Sequence, residues 1–265
     1  MKYNKLFPFS FLVVLLVSCA GTKHAQKMTL SWEENFNQPG GFDTSRWSKI
    51  PRGLSDWDRH MSDFDSCYAM RDGKLVLRGI MNNSVPGDTA RYITGGVYTK
   101  DKVAFGSGRL EIRAKLNGAR GAWPAFWLLP QGMGWPDGGE IDIMEYYRDT
   151  LLANILCGGK NHSNEWHTTK TGVQQLGGTA WAAKFHTWRM DWTPEYVALY
   201  IDDSLLNKMA VDALVNKNGT GFNPFKQPHY MLLNVAIGGQ NGGDPAQTSF
   251  PRKMEVDYVR VWQEK

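Results

Sequence analysis

Trp135-Pro136-Asp137-Gly138-Gly139-Glu140-Ile141-Asp142-Ile143-Met144-Glu145-Tyr146-Tyr147 is the stretch from which the rest of the chain can be read. Pro136, Gly138 and Gly139 are turn residues, and they give way to a β-favouring apolar run that carries three carboxylates. The run therefore predicts a strand leaving a tight turn. Side chains alternate along a strand, so Glu140 and Asp142 share one face while Ile141 and Ile143 point into a core. Glu145 breaks the alternation. It lies an odd number of residues from Glu140, and a regular strand would bury its carboxylate among apolar groups at high cost. A one-residue β-bulge near Ile143-Met144 returns it to the face of the other two acids.

With that bulge the two glutamates stand four ladder positions apart, roughly 13 Å along the strand. Side chains leaning together close the gap to about 5–6 Å, near the separation retaining glycosidases use between nucleophile and acid/base. Carboxylates so close cannot all ionise freely, so their pKa values separate, leaving one glutamate ionised and one protonated near neutral pH. The plainer alternatives are a solvated acidic face or a metal site. The apolar and glycine surroundings argue against the first. The lack of any histidine within fifteen residues argues against the second.

Working outward, short alternating runs recur at 74–78, 109–115, 196–201 and 230–235, separated by Asp72-Gly73, Asn117-Gly118, Asp202-Asp203 and Gly238-Gly239. Many short strands with turn signals between them indicate an all-β sandwich or barrel. Residues 204–215 are left as one short helix or an irregular loop. No repeat or second-domain boundary is evident.

The N-terminus reads as an export signal. Lys2 and Lys5 precede an apolar stretch, 6–17, too short for a comfortable membrane span. The stretch ends Leu16-Val17-Ser18-Cys19, which resembles a bacterial lipoprotein box. The expected division is a signal peptide over 1–18, lipidated Cys19 with a polar tether to 29, and a catalytic domain over 30–265. The alternative is an ordinary signal peptide with an incidental cysteine. The expected protein is an exported monomer, lipid-anchored to a bacterial, outer, membrane. Its formal charge of +4 falls to about +2 without the two signal lysines, with no like-charge block, so neither nucleic acid nor an acidic polymer is implied as partner. Besides Cys19 only Cys67 and Cys157 are present, and their spacing demands no disulfide. His186 reads as structural.

The run Glu140-Ile141-Asp142-Ile143-Met144-Glu145 resembles the bulged active-site signature of glycoside hydrolase family 16. Gly121-Ala122-Trp123-Pro124-Ala125-Phe126-Trp127-Leu128-Leu129 resembles the strand the family places before it, and Asp257-Tyr258-Val259-Arg260-Val261-Trp262 its closing strand. The resemblance runs from about Leu30 to Trp262. It implies a concanavalin-like β-jelly roll whose concave sheet holds the cleft, and an endo-acting retaining hydrolase of a polysaccharide. Glu140 would be nucleophile, Glu145 acid/base, and Asp142 the residue that orients Glu140.

Among eleven tryptophans, Trp32, Trp47 and Trp262 are assigned to packing. Trp123, Trp127 and Trp135 are assigned to the cleft, where flat rings stack on sugars. Asn234 resembles the family's cleft asparagine. Glu111 matches a carboxylate used against an outer sugar, with an ion pair to Arg109 or Arg113 as the alternative. The resemblance also implies a structural calcium on the convex face, held by Glu34, the Gly73 carbonyl and Asp257, oxygen ligands of the kind calcium takes. No cofactor is implied for the reaction.

Two departures bear on substrate. The Thr-x-His element of laminarinases is replaced by Ala153-Asn154-Ile155-Leu156-Cys157, and an early Asn…Glu-Leu element by Trp57-Asp58-Arg59-His60-Met61-Ser62. Subsite contacts must therefore differ, and a lost hydroxyl contact is enough to change the preferred sugar. β-1,3- or mixed-linkage glucan is the leading expectation. An endo-β-galactosidase acting on galactan or poly-N-acetyllactosamine comes next, and a non-catalytic glycan-binding protein is the competing class.

Overall fold

The computed structural model describes residues 27–38, 40–83 and 85–264. The signal, Cys19 and the start of the tether lie outside the described residues. Two antiparallel sheets face each other. The outer, convex sheet runs Ser204–Ala210, Tyr196–Ile201, His186–Trp192, Gly108–Leu116, Arg252–Glu264, Leu75–Met81, Tyr68–Met70, with Met28–Glu34 also paired to Arg252–Glu264. The inner, concave sheet runs Asn164–Gly172, Thr150–Gly158, Glu140–Tyr147, Ala122–Pro130, His229–Ile237, Gly96–Tyr98, Ser48–Lys49. This is the expected all-β jelly-roll sandwich.

Alternation builds the core between the sheets. In Gly108–Leu116 the residues Leu110, Ile112, Ala114 and Leu116 are buried, while Arg109, Glu111, Arg113 and Lys115 face outward. Across from them Phe126, Leu128, Ile141, Ile143, Met231 and Leu233 close the same cluster. Phe126 meets the fully buried Trp188 edge-on, centroids 5.4 Å apart, a favourable aromatic geometry. Cys67 and Cys157 are separate buried thiols. Of the tryptophans assigned to packing, Trp47 is fully buried, while Trp32 and Trp262 are half-buried.

The segment read as helix or loop is instead the strand Ser204–Ala210, followed by a 3-10 turn at Val211–Ala213. Asp202 and Asp203 both take left-handed conformations, with φ of 43° and 66°. That two-residue turn folds the chain straight back onto Tyr196–Ile201. Asn207 of this strand is buried, and its Nδ2 donates to the carbonyls of Ala153 and His167, both at 2.9 Å. It ties the outer strands of the concave sheet to the convex one.

A second apolar layer lies on the concave sheet. Ile50 and Met61 pack over Ala125, Trp127, Tyr230 and Leu232, with Trp57 against them. The segment 50–61 thereby walls off one part of the concave face and leaves a cleft over its central strands.

Candidate active site

Glu140–Tyr147 is the third strand of the concave sheet, and its register shows how the acids are placed. Asp142 pairs with Asn154, but Glu145 pairs with Leu152, so one extra residue is absorbed between them. On the other side Asp142 pairs with Trp127 and Met144 with Phe126, which locates the bulge at Ile143-Met144. Both of those side chains enter the core, and Glu145 returns to the cleft beside Glu140.

The turn before the strand is tightly fixed. Gly139 has φ +79°, and a Cβ there would come within 2.8 Å of Pro224, so glycine is required. Asn216, itself buried, donates from Nδ2 to the Asp137 carbonyl at 2.7 Å and accepts from the Gly158 N–H at 2.8 Å. This clamp holds the Trp135 turn against the end of the neighbouring strand.

Each glutamate receives an indole N–H. Trp135 Nε1 donates to Glu140 Oε2 at 2.6 Å, and Trp123 Nε1 donates to Glu145 Oε1 at 2.9 Å. Asn154 Nδ2 donates to both Asp142 Oδ2, at 2.8 Å, and Glu145 Oε2, at 2.6 Å. Trp127 Nε1 donates to Asn234 Oδ1 at 2.7 Å, and Trp57 stands edge-on to Trp127 with centroids 4.8 Å apart. Among the described residues no cation pairs with the three acids.

Burial therefore governs their protonation. It pushes Glu140 up to about 7, helped by the charge of Glu145 and opposed by hydrogen bonds from Asp142 and Trp135. Asp142 is raised well above the carboxylate range, first by burial and then by the charge of Glu140. Burial and the charge of Asp142 do the same to Glu145, against the pull of the Trp123 and Asn154 donors. Burial and mutual charge thus hold all three carboxyls above the ordinary carboxylate range, so the site retains protons near neutral pH. Two glutamates sharing one face in this state suit a nucleophile and an acid/base.

The cleft above them has a volume of about 670 Å³. Its walls include Ser55, Trp57, Trp123, Trp127, Trp135, Trp166, Lys170, Asn234 and Asn241. The structure thus brings Trp123, Trp127, Trp135 and Asn234 together with the acids. Trp135 lines the cleft half exposed, whereas Trp123 and Trp127 are largely buried.

Glu111 does not join them. It lies on the outward face of the convex sheet, where its Oε1 accepts from the Tyr258 hydroxyl at 3.1 Å. Residue alternation puts its neighbours Leu110 and Ile112 into the core, so Glu111 must face away from it, on the far side of the sandwich from the cleft. The alternative ion pairs are also absent, because Arg109 holds Asp191 and Arg113 holds Asp257.

For a structural cation the described residues fit only in part. Glu34 is buried, with Oε1 accepting from the Phe36 N–H at 2.9 Å and Oε2 left without a partner. Asp257, however, spends a carboxylate oxygen on Arg113. Among the described residues no group of three or more His, Cys, Asp or Glu is arranged around a metal position.

Asn154, Trp57, Trp166 and Lys170 were not singled out as site residues from sequence. The 2-residue period of Trp166-x-Thr168-x-Lys170 was the available signal, since it puts all three on one strand face. His186 is structural, as its residue context suggested: its ring is hydrogen-bonded by Asp202 and the Trp181 carbonyl.

A jelly roll with a concave cleft, an aromatic lining and two indole-held glutamates across a bulge defines a glycan hydrolase of the sandwich type. Comparison with known proteins places it more closely. The description "Glycosyl hydrolases family 16" matches residues 68–260, and the chain belongs to that family. It is 34% identical over 246 residues to a keratan-sulfate endo-1,4-beta-galactosidase of Sphingobacterium multivorum, covering 88% of this chain and 54% of that protein. The chain thus spans about half the length of that relative. It is 31% identical over 290 residues to a beta-glucanase of Rhodothermus marinus, covering 99% and 96% of the two chains. Among solved structures, an endo-acting O-glycanase of the human gut microbiota, described as initiating mucin breakdown, superposes with a TM-score of 0.77. It is 28% identical and covers 90% of this chain and 91% of that one.

Proposed function

We propose that the chain is an endo-acting retaining hydrolase of β-galactosidic linkages in N-acetyllactosamine-type chains. The observation that carries the catalytic half is the pair of indole-held glutamates brought to one face by the Ile143-Met144 bulge, with carboxyl pKa values raised by burial. In the first step Glu145 gives its proton to the glycosidic oxygen. The Glu140 carboxylate attacks the anomeric carbon, and the bond to the leaving sugar breaks. In the second step Glu145, now ionised, takes a proton from water. The water oxygen attacks the same carbon and the ester to Glu140 breaks. Asp142 lies between the two glutamates and orients Glu140. Asn154 and Trp123 stabilise Glu145 while it carries charge.

The substrate half is supported by the resemblance to the endo-galactosidase and the O-glycanase. Support also comes from the cleft wall, where Trp57 stands on the segment that departs from the laminarinase pattern and Asn154 on the strand that lacks the laminarinase histidine. The glucan reading stays as the second, supported by the relative from Rhodothermus marinus. Product analysis on laminarin, mixed-linkage glucan, agarose-type galactan and desulfated poly-N-acetyllactosamine tests the choice. Release of galactose-ended oligosaccharides from the lactosamine chain is expected. Cleavage of the glucans alone contradicts it.

A structural calcium beside Glu34 stands as a proposal that rests on its partnerless buried oxygen. It enters no step of the reaction. An unchanged melting temperature in excess chelator would remove it.

A further inference from the structure

Among the described residues that line the cleft, Lys170 is the one cation, and the acids are Glu140 and Glu145. Its position is set by register. Glu145 pairs with Leu152, and Leu152 pairs with Lys170. Lys170 therefore stands on the same rung of the sheet as Glu145, two strands away, a lateral distance of about 10 Å. That is about the width of two sugar rings across the cleft from the acid/base. Thr168 and Trp166 follow on the same face of the same strand, and Trp166 is 41% exposed. The strand is pinned from behind by Asn207 through the His167 carbonyl, so this row is a firm wall.

Like most of the described lysines, Lys170 pairs with no carboxylate among the described residues; what sets it apart is that it lines the cleft. The bland explanation is that a lysine on an outermost strand discourages edge-to-edge pairing. That role asks only for charge at the edge. It gives no reason for the side chain to line the cleft on the rung of the acid/base, with an exposed indole four residues along the same strand face. A neutral glucan would leave the charge without use, whereas an anionic substituent on a sugar would complete it.

We infer that Trp166, Thr168 and Lys170 form a subsite for a sugar bearing an anionic group, a sulfate ester or a sialic carboxylate. The indole takes the face of a neighbouring ring, about 13 Å along the strand, and the ammonium takes the anion through a charge-assisted hydrogen bond. This inference rests on the lactosamine reading above and narrows it to charged chains.

The test compares kcat/KM on three size-matched lactosamine oligosaccharides, neutral, 6-O-sulfated and sialylated, for the wild type, Lys170→Met and Lys170→Arg. Wild type is expected to favour one anionic chain over the neutral one by about fivefold, the scale of a partly exposed charge pair. Lys170→Met should erase that preference through KM and be rescued by Lys170→Arg. Whichever anionic chain is preferred identifies the source of the anion. The preference should also shrink as salt is raised. Equal use of all three chains by the wild type, or a preference that survives in Lys170→Met, overturns the subsite and leaves the lactosamine reading intact. Cleavage of laminarin with none of the three chains cut overturns both.

Discussion

The two sheets of this sandwich treat their acids in opposite ways. On the outer face of the convex sheet, most carboxylates are matched to cations. Asp191 is held by Arg109 at 2.6 Å, Glu255 by Lys115 at 2.8 Å, and Asp257 by Arg113. On the concave face Glu140, Asp142 and Glu145 crowd together with only N–H donors around them. The convex acids are spread along strands at water's edge, where such pairs contribute little to stability. Of the concave acids Asp142 and Glu145 are buried and Glu140 half-buried, none has a cation partner among the described residues, and the pKa of each is raised. A fold optimised for stability alone would not keep them. The difference separates the working surface from the supporting one.

The largest expected effect sharpens this contrast directly. Glu140→Gln and Glu145→Gln should each lower kcat by at least about a thousandfold, because each removes a group that makes or breaks a bond. Glu111→Gln and Asp191→Asn, on the convex face, should leave kcat within about twofold. Kinetics on a verified substrate with purified variants checks both. A convex variant as damaged as a concave one would break the comparison.

Next comes Asn154. Its N–H groups favour the ionised form of Glu145 and Asp142. In Asn154→Ala the pKa of Glu145 should rise, so the alkaline limb of kcat/KM moves to higher pH. The step that needs Glu145 as a base should slow, with kcat falling about tenfold or more. A pH profile with both limbs in place and only its height reduced would make Asn154 a packing residue.

The smallest effect is on stability, and its sign is opposite on the two faces. Glu140 has its pKa raised from 4.5 to about 7 on folding. Its contribution to stability is present below pH 4.5 and is lost as pH rises through about 7. Glu140→Gln should therefore match wild type near pH 4.5 and exceed it at pH 8, by on the order of 2 kcal/mol. Asp191→Asn should instead lose up to about 1 kcal/mol. Denaturant melts at the two pH values read both. A Glu140→Gln variant less stable than wild type at pH 8 would contradict the burial argument.

Much of this was legible in the sequence because local rules and global fold agree. The bulge at Ile143-Met144 followed from an odd spacing between carboxylates on a strand with one apolar face. The sandwich followed from short alternating runs with glycine and aspartate turns. Glu111 was misplaced for a reason that is physical. Its strand reads identically whichever sheet it joins, since Leu110 and Ile112 would be core residues in either, and only the pairing partners decide. The strand 204–210 was missed because its one buried residue is polar, Asn207, whose partners Ala153 and His167 are 54 and 40 residues away. Asn154 was quoted for what it is not, a histidine. Its role depends on a cross-strand register set by the bulge.

The central claim is that the concave glutamates perform two displacements at one carbon, and product stereochemistry reports that most directly. Proton NMR of freshly cleaved oligosaccharide, read before mutarotation, should show the new reducing end as the β-anomer, retained from the substrate linkage. The α-anomer appearing first would mean a single displacement by water, and would contradict the assignment of Glu140 as nucleophile.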